Sequence, residues 1–472
     1  QTDLEIAWHF ILGRDLSRAI PYALTGAEYS LQAGAAREAE LILRHLMREE
    51  VDQENARQIR LLLSSALMGQ SKAEEALPHL EHLLSVDVSD RRQAALAAHL
   101  YASAMYLLNM NSMAKHSEMA ERALTIAREC DDDELLARAL FECGRAAIAS
   151  GNLEMTRKTR DEIRKVLVRR EGESPAMALH ADAYCSYFLA DLKEAATSAQ
   201  RAVAGLGKGG DLGELAQAYT GLGNCMHALG RLKEARDCYA LALQLSRKLG
   251  DDCRISIVTS NIAACYLVEG NIELAKAFGE ESLDVGRKAP TQPGLLRTWT
   301  NLAFAYLISG DMDKAMECFG SWRRWIRNGR SWAANMEYWC DSAGMELALG
   351  NASEALELIA TAERACDGKD GLVVNQGTFE CMRVFSAYHT VGSRAAADLG
   401  KSFLKRFEAC GHVIAQAELL AVGAWLEMQT GGAVSDATQA RLGIFDDYRL
   451  PGKRAILTIQ GFLDKNAARI LP

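Results

Sequence analysis

Proline is scarce, 7 in 472 residues, and aromatic side chains make up only 7% of the chain. With few breakers and much alanine and leucine, the backbone is biased to helix, because these side chains lose little rotamer freedom there. No apolar run approaches the ~18–20 residues that span a bilayer; the best, around Leu419–Trp425, is far too short. A basic stretch followed by an apolar one and a small-residue cleavage site is also missing. So is a basic excess: 53 Lys and Arg stand against 62 Asp and Glu, a net charge of −9. That balance leaves no electrostatic footprint for nucleic acid or an anionic membrane. The 12 cysteines include no C-x-x-C pair, so neither a metal nor a disulfide framework is expected, and the chain reads as cytoplasmic. Beginning at Gln1, it reads as a piece of a longer protein.

What is present is a repeat. A Gly-x-x-x-x-Ala unit returns at Gly34–Ala39, Gly230–Ala235, Gly270–Ala275, Gly310–Ala315, Gly350–Ala355 and Gly392–Ala397, with looser copies at Gly151–Thr156 and Ala190–Ala195. The second positions run 39, 76, 116, 156, 195, 235, 275, 315, 355, 397 and 437, eleven copies of a unit of ~40 residues. Twelve residues before each lie Ala27, Ser64, Ala104, Gly144, Ala183, Gly223, Ala263, Ala303, Ala343, Phe385 and Trp425. Nine of the eleven are small, which lets another helix approach closely; the last two mark a divergent C-terminal end. Each unit reads as two helices. The glycine ends the first cheaply in a left-handed conformation. The following Asn152, Asp191, Asn271, Asp311 or Asn351 is a candidate N-cap of the second, and Asp191 with Glu194 has capping-box spacing. Trp299, Leu302, Ala303 and Tyr306 recur on one helical face.

Trp299-x-x-Leu302-Ala303-x-x-Tyr306, Gly310, then Ala315-x-x-x-Phe319 resembles the tetratricopeptide repeat. A second good copy is Tyr219-x-x-Leu222-Gly223-x-x-Met226, Gly230, Ala235-x-x-x-Tyr239. The period of ~40 exceeds the ~34 of the common form, and the proline at the end of the unit is missing. Both departures imply longer helices, as in the repeat arrays of large bacterial signalling ATPases. The stretch Ala7-Trp8-His9-Phe10 … Gly13-Arg14-Asp15-Leu16-Ser17-Arg18-Ala19-Ile20-Pro21-Tyr22 is similar to the junction where such an array follows a winged helix in STAND-type ATPases, including MalT-like activators. The expected fold is therefore all-α: a right-handed superhelical solenoid of about eleven ~40-residue helix pairs. Residues 1–14 would be an orphan helix at the junction, 15–445 the array, and 446–472 a C-terminal cap or tail.

Chemistry-bearing patterns are few. Gly205-Leu206-Gly207-Lys208-Gly209-Gly210 lacks the Ser or Thr after Lys and the preceding strand of a phosphate loop, so it reads as a turn. His79 and His82 have helical ligand spacing but no third ligand. Cys185, Cys225 and Cys265 occupy one repeat position and read as packing. No catalytic group, metal site or cofactor is expected. Two surfaces are candidates for binding. In arrays of the family this chain resembles, the first helix of each unit lines the concave face. Carrying its inner positions over marks Arg138, Phe141, Arg145, His180, Tyr184, Tyr187, Phe188, Asn224 and His227, with Tyr101, Met105, Arg297 and Phe304 beside them. Aromatic and Arg side chains there suit a protein, a peptide or a small anionic ligand. The second surface is Trp325, Arg327, Trp332 and Trp339, in a stretch that holds five of the seven tryptophans; Trp and Arg are the types enriched at binding hot spots.

The functional expectation is a non-catalytic binding or sensor array. The resemblance implies the regulatory part of a STAND-type ATPase, whose parent could oligomerise. The alternative is a stand-alone peptide-binding regulator or a scaffold of a larger complex. Neither a nucleic acid nor a membrane is expected as partner.

Overall fold

The computed structural model describes residues 2–85, 90–108, 113–169, 175–209, 211–289, 295–326, 332–366 and 376–463. Among the described residues there are 25 helices and no strand. A first helix, α1 (Asp3–Leu12), packs on the pair α2 (Leu16–Gln32) and α3 (Ala36–Leu46). Nine further pairs follow: α4 (Gln53–Met68) and α5 (Ala73–Ser85), α6 (Arg91–Leu107) and α7 (Met113–Ala127), α8 (Asp133–Ala149) and α9 (Leu153–Arg169), α10 (Ala176–Phe188) and α11 (Leu192–Leu206), α12 (Leu212–Ala228) and α13 (Leu232–Leu249), α14 (Asp252–Val268) and α15 (Ile272–Lys288), α16 (Leu295–Ile308) and α17 (Met312–Ile326), α18 (Trp332–Ala348) and α19 (Ala352–Ala365), and α20 (Gln376–Thr390) and α21 (Ser393–Cys410). The eleventh pair is lopsided, a long α22 (Val413–Gly431) with a stub α23 (Asp436–Arg441). Two short helices, α24 (Ile444–Asp447) and α25 (Pro451–Ile459), end the described chain.

The repeat chemistry acts as its residues demand. Gly151, Gly230, Gly270, Gly310 and Gly350 all turn the corner with positive φ, and where the copy lacks glycine Ala190 takes φ 65° itself. Asn152, Asn271 and Asp311 accept a hydrogen bond from the third residue of the next helix. Asp191 and Asn351 do not cap. Asp191 is drawn instead to Arg160, and the Asn351 amide donates to Glu346 at 2.8 Å. The expected capping box is not formed either, because Glu194 pairs with Arg164. Trp299, Leu302, Ala303, Tyr306, Phe319 and Trp322 are all buried, as the repeat pattern requires. At Gly223 a Cβ would stand 2.7 Å from Tyr239 Cδ1, so the small position is set by an aromatic ring on the paired helix.

First helices of most neighbouring units touch one another, while the second helices are held farther apart. First helices therefore line the inside of the curve. The curve is tight enough for successive turns to meet. Ser71 Oγ donates to Asp251 Oδ1 at 2.7 Å, Gly34 lies against Leu212 and Leu249, Gly230 against Val413, and Gly270 against Pro451. Most of these contacts join residues about 180 apart, roughly four and a half units, and Gly34 with Leu249 spans about one unit more. Residues 446–463, expected as a cap or tail, turn into the interior of the coil, and α25 rests on α14 and α16.

Candidate functional site

The inner positions divide into a packed half and a hollow half. In the packed half Phe141 is 3% exposed, His180 3% and Arg145 7%. Arg145 donates to Glu142 Oε1 at 2.9 Å and lies over the Tyr106 ring at 3.4 Å. His116 Nε2 meets the other Glu142 oxygen at 3.2 Å. Burial works against the Glu142 charge, yet Arg145 and the His116 hydrogen bond hold its pKa down at about 2. Arg138 is paired with Glu214. Phe141 packs on His180 and, edge to face, on Tyr184, with centroids 5.0 and 5.2 Å apart. Tyr184 continues to Phe188 and Phe188 to Tyr187, at 5.0 and 5.2 Å. This chain of rings leads out of the packed half to the hollow one.

The hollow half is a cavity of about 390 Å³ lined by seven successive first helices, α10 to α22, and by α25. Tyr187, Phe188, Asn224 and His227 are on its wall, as are Arg297 and Phe304. The structure thus brings four of the nine inner-face candidates together there. Arg138, Phe141, Arg145, His180 and Tyr184 sit in the packed half. Of the Trp/Arg surface, Trp339 packs against the cluster of Met336, Cys340 and Phe379. Arg327 and the side chains of Trp325 and Trp332 lie outside the described residues.

The cavity's polar groups come from the repeat register. Two residues before the small position stand Asn261, Asn301 and Asp341, 40 residues apart; one residue earlier stand Thr220, Ser260 and Thr300. Asn224 Oδ1 accepts from Tyr239 Oη at 2.7 Å and from Asn261 Nδ2 at 3.3 Å. Thr300 donates to Asp341 at 3.0 Å. Thr378 donates to Glu418 at 3.0 Å, and Lys453 of α25 pairs with the same carboxylate. Burial, with His412, Arg297 and Lys453 nearby, pushes the His227 imidazole down to about 3, and burial takes His412 to about 4. His227 Nε2 has no hydrogen-bond partner among the described residues. Sequence reasoning missed Asn261, Asn301 and Asp341, although their spacing of 40 residues was a signal that could have found them. Lys453 had no such signal, since it reaches the cavity only by the return of the chain.

Other patterns resolve as packing. Cys185, Cys225 and Cys265 are buried free thiols whose pKa burial raises to about 12. No group of three or more His, Cys, Asp or Glu side chains among the described residues is placed to hold a metal ion, and no described helix is long and apolar enough to cross a membrane.

Fold and site together define a helical-repeat binding module with a concave, polar interior. Its repeats are of one kind: the tetratricopeptide-repeat family matches residues 216–249 and 254–321, and the chain is a tetratricopeptide-repeat array. No curated protein sequence matches it. Among solved structures it is similar to a Rap protein complexed with competence and sporulation factor, at 15% identity over 74% of this chain and 98% of that one, TM-score 0.49. It is similar to aspartyl phosphate phosphatase F from Bacillus subtilis, at 13% identity over 75% and 96%, TM-score 0.40. A third similarity is to a signal transduction ATPase with numerous domains (STAND) carrying a tetratricopeptide repeat sensor, from Pyrococcus horikoshii, at 14% identity over 69% and 53%, TM-score 0.40.

Proposed function

We propose that this chain is the non-catalytic sensor part of a larger STAND-type signalling ATPase in the cytoplasm, with the concave cavity as its ligand site. The observation that supports the reading is convergence. Seven units contribute side chains to one space, so an occupant touches most of the array at once and can bias its curvature, the bistable element that a sensor needs. Phe188 and Phe304 supply flat apolar walls, while Asn261, Asn301 and His227 supply hydrogen-bonding groups. This combination holds a peptide end or a small polar or anionic ligand. Two measurements test the reading. Any compound or peptide that raises the melting temperature of the chain is expected to bind at least ~10-fold more weakly to an Asn261→Ala/Asn301→Ala chain of unchanged helicity, as hot-spot residues imply. Affinity retained in that variant moves the site away from the cavity. The open reading frame upstream should encode a Walker A loop and a winged helix; a frame without them removes the ATPase.

A second reading, a stand-alone peptide-binding regulator or scaffold, is favoured by one feature. Asn261 and Asn301 each carry a donor and an acceptor, as a peptide group does, and could read an extended backbone.

A further inference from the structure

The C-terminal segment behaves as something bound by the array. Helix α25 has nine residues and opens Pro451-Gly452. A helix that short does not stand alone in water, so its conformation is made by the surface under it. That surface belongs to helices that pack on their own neighbours: α14 and α16 touch each other, as do α20 and α22. The seat is preorganised and the occupant is not.

The fit is specific. A Cβ on Gly452 would come within 2.7 Å of Gly270 N and closer to the Leu267 carbonyl, so only glycine admits this approach to the α14–α15 corner. Lys453, partly buried, reaches the buried carboxylate of Glu418. One turn on, Ile456 enters the apolar cluster of Leu296, Phe304 and Met345. A buried ion pair is poor evidence of net stability but fixes orientation well. The equivalent corners Gly310 and Gly350 meet nothing within 4 Å, so this contact is not a property of every unit.

The connection is more exposed, though Phe445 within it is buried and Ser435 and Thr438 bond Glu427. Residues 431–441 between α22 and α24 are mostly exposed, as are 446–449. The residue before Leu450 and α25 is Arg449, held at φ 53°, a left-handed conformation that a non-glycine residue adopts at a cost.

We propose that the surface formed by α14, α16 and α22 is a helix-docking site, and that the chain's own segment 446–463 is a separable internal ligand on it. The partner that fits the same seat is a short helix with glycine in its first turn, lysine next to it and aliphatic residues three and four positions beyond the lysine. Such a helix and α25 compete. Because Lys453, Ile456 and Gln460 also form one wall of the cavity, release of α25 opens the cavity to the groove. The proposal does not depend on what the cavity binds.

The test uses the full chain and a fluorescent peptide of residues 446–463. Gly452→Leu in the chain should undock its own helix. The peptide is expected to bind this variant at least ten-fold more tightly than the unaltered chain, whose seat is filled. Lys453→Glu in the peptide should abolish binding, and Glu418→Lys in the Gly452→Leu chain should restore it to that altered peptide. Equal binding to both chains, or binding to neither, overturns the proposal. Should Gly452→Leu fail to fold, hydrogen exchange on the unaltered chain decides. Amides 452–460 exchanging at least ten-fold faster than those of α14 and α16 support a separable helix; exchange of all three only through global unfolding overturns it. Loss of cavity binding in Asn261→Ala/Asn301→Ala leaves these peptide results untouched, so the two readings fail separately.

Discussion

The inner faces of α8 and α10 and of α14 and α16 occupy the same positions of the same repeat, and they do opposite things. Three residues before the small position the first pair carries Phe141 and His180, the second Ser260 and Thr300. One residue after it, the first pair carries Arg145 and Tyr184, the second Ala264 and Phe304. Large side chains in the first region fill the interior of the turn, and its charges are consumed by Glu142 and Glu214. Small hydroxyl and amide side chains in the second leave a cavity. A register tells which residues face inward. Side-chain volume decides whether the inside becomes core or cavity.

The comparison breaks first at Glu142. Removing it by Glu142→Ala leaves Arg145 buried without its partner, which costs about 3–5 kcal/mol, measured by urea unfolding. A loss below ~1 kcal/mol would mean the packed half is not packed. Next comes Gly223→Leu. The added side chain meets the Tyr239 ring, and overpacking costs about 1–3 kcal/mol. The same change at Gly423, where a Cβ meets nothing within 4 Å, should cost less. Equal melting shifts would remove the small position from the repeat's design.

Acid sharpens the contrast. His180 is held down to about 4 and His227 to about 3 by burial, in the packed and hollow halves respectively. Folded, each binds fewer protons than when unfolded, so both favour unfolding as pH falls from ~6.5 towards those values. Glu142, at about 2 against an ordinary 4.5, adds a stabilisation present above pH 4.5 and lost as pH falls to 2. Melting temperature should therefore decline with acid across both windows. His227→Gln should flatten the slope between pH 6.5 and 4, and Glu142→Gln the slope below 4.5. A cavity that opens to solvent would leave His227→Gln without effect on the slope. The smallest effect belongs to Asn261→Ala, within about 1 kcal/mol of the parent in stability, because its side chain is half-buried and its hydrogen bond to Asn224 is long at 3.3 Å. A larger loss would make the asparagine a structural strut.

The helix pairs, their corners and the small positions were legible in the sequence. A 40-residue period with glycine at one place and alanine at another has local causes: left-handed φ at Gly230 or Gly310, N-terminal capping by Asn271 or Asp311, close approach at Gly223. Capping was read wrongly at Asp191 and Asn351, where Arg160 and Glu346 on other elements compete for the side chain. Tertiary structure alone decided the rest. The pitch that brings Ser71 to Asp251, the closure of the cavity and the arrival of Lys453 at Glu418 depend on small rotations between units summed over about 180 residues. No local pattern encodes such a sum. The sequence by itself determined a tetratricopeptide-type array and part of its inward-facing set, because both follow from neighbours along the chain. Where that array is hollow, and what its C-terminal helix covers, follows from contacts between turns of the coil, which only the folded molecule brings together.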